Sequence, residues 1–107
     1  MSLATDKSFK IAFFPEAARE YRKLDGSQRI FVDKGLARLQ QLGMAAGQAL
    51  KGELSHYRKL KNKRLGLRII FTQEADQLTI IEIVAIGRRE DAQVYHQATQ
   101  RLHNPRH

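Results

Sequence analysis

The hydrophobic positions of this chain change period several times, and each change marks an element. Residues 9–14 place Phe9, Ile11 and Phe13 on one parity and end at Pro15, which cannot continue a central strand, so they predict a short first strand. Pro15 suits the first turn of a helix and Glu16 complements its positive end; Ala17, Ala18, Tyr21 and Leu24 then recur at helical spacing until Asp25-Gly26 stops it. Ser27 reads as the N-cap of a second helix, in which Phe31, Val32, Gly35, Leu36, Leu39 and Leu42 form one apolar stripe that Gly43 ends. So short a link predicts an antiparallel helical hairpin. Gly35 costs about 1 kcal/mol of helix propensity relative to Ala and, lying on the stripe, is expected to be tolerated packing that also permits close approach of the partner helix.

From Met44 to Ser55 the pattern fades into Ala, Gly and Gln, a connecting loop. Three strands follow, over 55–63, 66–73 and 77–86, with turns near Leu65-Gly66 and Ala75-Asp76, which predicts an antiparallel meander. The run from Leu78 to Ile86 is apolar enough to lie inside the sheet with helices over one face. Asp91 then caps a final helix with Ala92, Tyr95, Ala98 and Leu102 inward, and Pro105 lies past its end. The expected fold is α+β: an N-terminal strand and helical hairpin packed on a mostly antiparallel four-stranded sheet, with a C-terminal helix. At 107 residues the chain is one domain, 1–107, with its core over about 9–102.

Composition narrows the class. With 42% hydrophobic and 28% charged residues spread along the chain, disorder is expected only at the termini. The lack of cysteine excludes a disulfide scaffold and a thiolate metal site. No apolar run approaches the ~20 residues that span a bilayer, and the N-terminus lacks a signal-peptide core, so a cytoplasmic protein is expected. A net charge of +8 favours anionic partners, nucleic acid before acidic protein, and acidic protein before membrane.

The charge has a focus. Tyr57–Arg68 holds six cationic side chains in twelve residues, and no carboxylate lies between Glu53 and Glu74. Side chains two apart on a strand share a face, so Tyr57, Lys59, Lys61 and Lys63 are expected in one row. Arg68 lies across the hairpin, and Arg88-Arg89 follow the most apolar strand, so three segments are expected to bring cations to one cleft fit for a phosphodiester. The residue types alone leave other roles open: a lysine-protected sheet edge for the run, core packing for Tyr95, and plain surface charge for Arg88 and Arg89. His56, His96, His103 and His107 are scattered, and no metal-ligand spacing or Gly-rich phosphate loop exists, so no metal or cofactor is expected.

These residues carry a resemblance. Two helices, then Lys59-x-Lys61, Gly66-Leu67-Arg68, an apolar strand, Gly87-Arg88-Arg89-Glu90 and Val94-Tyr95, resemble the RelE toxins of bacterial toxin–antitoxin pairs. The likeness runs from Phe9 to Leu102 and is most specific over 57–95. It implies a ribosome-dependent, metal-independent endoribonuclease that cuts messenger RNA in the decoding site of the 70S ribosome. By position, Lys59, Lys61, Arg68, Arg89 and Tyr95 match the family's active-site set. In that reading the ribose 2′-hydroxyl attacks the adjacent phosphate, leaving a 2′,3′-cyclic phosphate and a 5′-hydroxyl.

A dense field of cations stabilises the anionic transition state and favours the neutral amine of a lysine within it. Lys61 is then the candidate base with Lys59 beside it, Arg68 the phosphate clamp, and Arg89 the support of the departing oxygen. Tyr95 stacks on a base or orients the 2′-hydroxyl. Lys51, Arg58, Lys63, Arg64 and Arg88 are expected to dock on ribosomal RNA. The resemblance also implies a cognate antitoxin, and a toxin–antitoxin complex that binds operator DNA. Two rivals stand beside it. A ParE-like gyrase inhibitor shares the fold but has no need of the cationic set, and a non-catalytic basic RNA-binding module lacks an aromatic stacking surface here. His96 and Glu90 are the residues either of which would serve as an alternative acid or base.

Overall fold

In the computed structural model, which describes residues 9–74 and 76–88, the chain runs through β1 (Lys10–Phe13), α1 (Pro15–Arg22), α2 (Gly26–Leu42), β2 (Gln48–Ala49), β3 (Arg58–Asn62), β4 (Leu67–Gln73) and β5 (Ile80–Arg88). Short 3₁₀ turns at Gly43–Ala46 and Gly52–Leu54 flank β2. The strands form one sheet in the order β1-β5-β4-β3-β2. β1 pairs parallel to β5, and the other neighbours are antiparallel. The expected α+β class and antiparallel meander are present, with β5 inside the sheet.

The sheet has five strands where four were expected. Gln48 and Ala49 pair with Lys59 and Arg58 inside the segment read as a loop. Their Ala- and Gln-rich sequence carries no strand signal, and two backbone pairs leave no hydrophobic period to detect. Strand ends move as well. The Tyr57 N–H donates to the Leu54 carbonyl (2.8 Å) and the Ile80 N–H to that of Gln77 (3.0 Å), so turns consume the residues that alternation had assigned to the starts of β3 and β5. The expected helix from Asp91 lies outside the described residues.

The cap of α2 is Asp25 rather than Ser27. Asp25 Oδ1 accepts the Gln28 N–H at 2.9 Å, and Gln28 Oε1 accepts the Asp25 N–H at 3.0 Å, a reciprocal capping box that satisfies two orphan donors. Ser27 sits inside the first turn and donates its hydroxyl to Asp25 Oδ1. The helices are tied by Tyr21, whose hydroxyl donates to Asp33 at 2.6 Å and whose ring lies under the Arg29 guanidinium.

One sheet face carries Leu60, Ile69, Phe71 and Ile83, with Ile69, Phe71 and Ile83 fully buried. A Cβ on Gly35 of α2 would stand 3.1 Å from Leu60 Cδ1 and 3.2 Å from Ile69 Cδ1. Gly35 therefore permits close approach of the sheet, not of the partner helix. α1 packs on β5 and β1. Ile70 and Ala85, on the second face, are buried as well.

Candidate active site

Register assembles the site. β3 and β4 pair Lys59 with Ile70, Leu60 with Ile69 and Lys61 with Arg68. Residues directly opposite in an antiparallel pair share a face with Cβ atoms about 5 Å apart, so Lys61 and Arg68 stand side by side. Lys59 is on that face one step along, about 7 Å from Lys61 by strand rise. Leu60 belongs to the helix-packed face, so the lysines occupy the second one. Lys61 is exposed, Lys59 half-buried, and Arg68 only 6% exposed. Lys59, Leu60 and Lys61 line a cleft of about 270 Å³ with Ala46 and Gln48, at the edge where β2 begins.

The turn between β3 and β4 holds this register. Asn62 Oδ1 accepts the Leu65 N–H at 3.0 Å, and the Gly66 N–H donates to the Lys63 carbonyl. Gly66 has φ +65°, a left-handed conformation that favours glycine. Lys63 falls in this turn, so the expected row of four side chains shortens to Tyr57, Lys59 and Lys61.

β5 completes the face by an irregularity. Ile70 pairs with Ala85 but Phe71 pairs with Ile83, so Val84 is one extra residue, a β-bulge. Before it, Glu82 faces Thr72 on the cationic face; after it, Ala85 and Gly87 are on that face, and Gly87 stands opposite Arg68. The bulge reverses which parity of β5 joins the cations. Arg88, exposed and opposite Leu67, has the other parity. Arg89, Glu90, Tyr95, His96, His103 and His107 lie outside the described residues.

Glu82 is the site-face residue that sequence reading missed. It extends the row Tyr57-Thr72-Glu82 and is 9% exposed, so the cationic face is not free of carboxylate. Its signal was available: it is the single charged residue in the run from Leu78 to Ile86. Burial, and then the Glu82 charge, push the Tyr57 phenol above its ordinary value of 10.0. Tyr57 therefore stays protonated at neutral pH and is no base.

The outlying cations separate into two kinds. Lys63 and Arg64 are exposed in the β3–β4 turn, and Lys51 is exposed just before the 3₁₀ segment Gly52–Leu54. Arg58 is on the opposite face from Lys59 and donates Nη1 to the Gly47 carbonyl at 2.7 Å, which braces the segment before β2. His56 lines a different depression of about 440 Å³ with Thr72, Gln73 and Glu74. Among the described residues, no group of three His, Cys, Asp or Glu side chains is placed to hold a metal ion, and no helix is long and apolar enough to cross a membrane.

Known proteins resemble the chain along most of its length. No protein-family model matches the chain. It is 26% identical to the mRNA interferase toxin RelE of Escherichia coli K12 over 95 residues, 89% of this chain and 98% of that protein. It is 30% identical to another E. coli protein, named as RelE-like toxin, over 94 residues, 88% of this chain and 97% of that one. Among solved structures, a double arginine mutant of E. coli toxin RelE in the free state matches with a TM-score of 0.74 at 23% identity, over 89% of this chain and 98% of that one. RelE in the intact E. coli RelBE toxin–antitoxin complex matches with a TM-score of 0.63 at 21% identity, over 75% and 95%. The structural matches show a shared fold.

Proposed function

The chain belongs to the RelE-like toxin family, and from that premise we propose that it is the toxin of a type II toxin–antitoxin pair, an endoribonuclease that cleaves messenger RNA on the ribosome. The observation that carries the reading is the Lys61–Arg68 pair with Lys59 beside it. Like charges directly opposite on a strand pair cost stability. A phosphodiester is an anion such a pair can hold, and the relatives of this chain are named mRNA interferases.

The chemistry follows from the placement. Lys61, exposed at the cleft, takes the proton of the ribose 2′-hydroxyl as that oxygen attacks phosphorus. Lys59 and the guanidinium of Arg68 bear on the non-bridging oxygens, where negative charge grows in the transition state. The bond to the 5′-oxygen breaks, leaving a 2′,3′-cyclic phosphate and a 5′-hydroxyl. Arg68 is nearly buried in the sheet, which limits its rotamers and suits it to clamping rather than proton transfer. Arg89 and Tyr95, assigned through the family resemblance, supply leaving-group support and the orientation of the nucleotide.

Lys59, Lys61 and Arg68 bind phosphate without reading several bases, so the ribosome provides the in-line alignment of the strand. Lys51, Lys63, Arg64 and Arg88 dock on ribosomal RNA with salt-sensitive affinity. The partner in the cell is a cognate antitoxin that covers the cationic face, as E. coli RelE is paired with an antitoxin in its complex; the pair binds its operator DNA, and both act in the cytoplasm.

The test is a purified translation reaction with and without ribosomes, comparing wild type with Lys61→Ala, Arg89→Ala and Tyr95→Ala. Ribosome-dependent cuts by wild type, lost in the three variants, are expected. Intact message in every lane overturns the nuclease reading, and inhibition of gyrase supercoiling in a parallel assay would replace it with the ParE-like one.

A further inference from the structure

The edge of β5 changes its support part-way along. Up to Ile83 it is flanked by β1, and the Phe14 N–H still donates to the Ile83 carbonyl at 2.9 Å. Beyond that point β1 has given way to α1. The Ile86 N–H then donates to Glu20 Oε1, a side chain of α1 that is 66 residues away in sequence, at 2.9 Å. Ile86 is 3% exposed, so water is a poor substitute for this acceptor, and a buried amide without one is strongly disfavoured. The bond falls two residues after the bulge at Val84 and immediately before Gly87, which faces Arg68. Gly87 brings no side chain to hold the strand.

We propose that Glu20 is a positioning residue: its carboxylate takes the place of a missing strand partner and fixes the post-bulge end of β5, from which the chain continues to Arg89, the residue that the family resemblance assigns to leaving-group support. The proposal rests on the nuclease reading for its catalytic consequence, and on the Ile86–Glu20 bond alone for the anchor. A bulge re-aims a strand, and a charge-assisted hydrogen bond is among the stronger means of holding the new direction.

Two measurements on the full chain decide it. Native-state amide hydrogen exchange is expected to show Ile86 losing about tenfold or more of its protection in Glu20→Ala, while Glu20→Gln, which keeps an acceptor, stays within about threefold of wild type. Ribosome-dependent cleavage is expected to fall about tenfold or more in Glu20→Ala and to recover in Glu20→Gln. In an Arg89→Ala background, Glu20→Ala is expected to cost less than about threefold further, because the two act through one group. Should Glu20→Ala not fold, Glu20→Asp keeps the charge but shortens the reach, and the same losses are expected. Unchanged Ile86 protection overturns the anchor whatever the activity. Lost protection with undiminished cleavage, or losses that simply add to those of Arg89→Ala, overturn the positioning role. A wild type that never cleaves overturns the nuclease reading and with it that role, while the exchange result still decides the anchor.

Discussion

The two faces of one sheet use the same strands for opposite purposes. Along β3 and β4, Leu60, Ile69 and Phe71 point to the helices and Lys59, Lys61 and Arg68 to the other side, so neighbours in sequence belong to different problems. On the first face, tight contact is the aim: Gly35 lets α2 come within van der Waals reach of Leu60 and Ile69. On the second, Lys61 stands opposite Arg68 with Lys59 one step along, so charge and not packing is what the strands present. The contrast teaches that stability and chemistry are separable here at single-residue resolution, because strand alternation assigns them to opposite sides.

The largest effect is expected from the helix-packed face. Phe71→Ala removes a fully buried ring and should destabilise by about 3–5 kcal/mol, read as a lowered urea midpoint, with activity falling only as the folded fraction falls. Lys61→Ala should do the converse. Ribosome-dependent cleavage is expected to drop about 10²- to 10³-fold, while the unfolding free energy read from urea denaturation changes by no more than about 0.5 kcal/mol. A Lys61→Ala protein that cleaves normally, or that unfolds, breaks the comparison.

Smaller effects sharpen it. Asp25→Ala dismantles the capping box of α2, on the helical side, and should cost about 1 kcal/mol without changing the cleavage rate of the folded protein. The smallest is a pH effect on the cationic side. Because the folded protein holds the Tyr57 phenol above 10.0, the neutral form is favoured by folding. That stability is fully present below the ordinary phenol value and is lost as pH rises through the higher folded one. Thermal melts of wild type and Tyr57→Phe should therefore differ by a constant amount below about pH 9, with wild type losing ground to the variant above it. Parallel curves throughout would remove Tyr57 from its half-buried place beside Glu82.

Much of this was legible before any coordinates. The shared face of Lys59 and Lys61, the partnership with Arg68 across a Gly66 turn and the interior place of β5 follow from alternation and turn chemistry within a few residues. Other features left no local trace. β2 is two residues with no hydrophobic period. Asp25 outcompetes Ser27 as a cap because Gln28 can reach back to its backbone, a reciprocity that a list of good capping residues does not rank. Glu82 was visible as a lone charge in an apolar run, yet only pairing with Thr72 brings it beside Tyr57.

What the sequence determined by itself was the set of elements and the side of each strand on which charge or hydrocarbon falls, because these depend on neighbours within one or two turns of chain. The tertiary structure decided how the strands are matched. The extra residue at Val84 switches which residues of β5 face Lys61 and Arg68, and the contact from Glu20 to Ile86 closes an edge across most of the described chain. Both are settled by hydrogen bonds between distant segments, whose energies depend on register and not on composition.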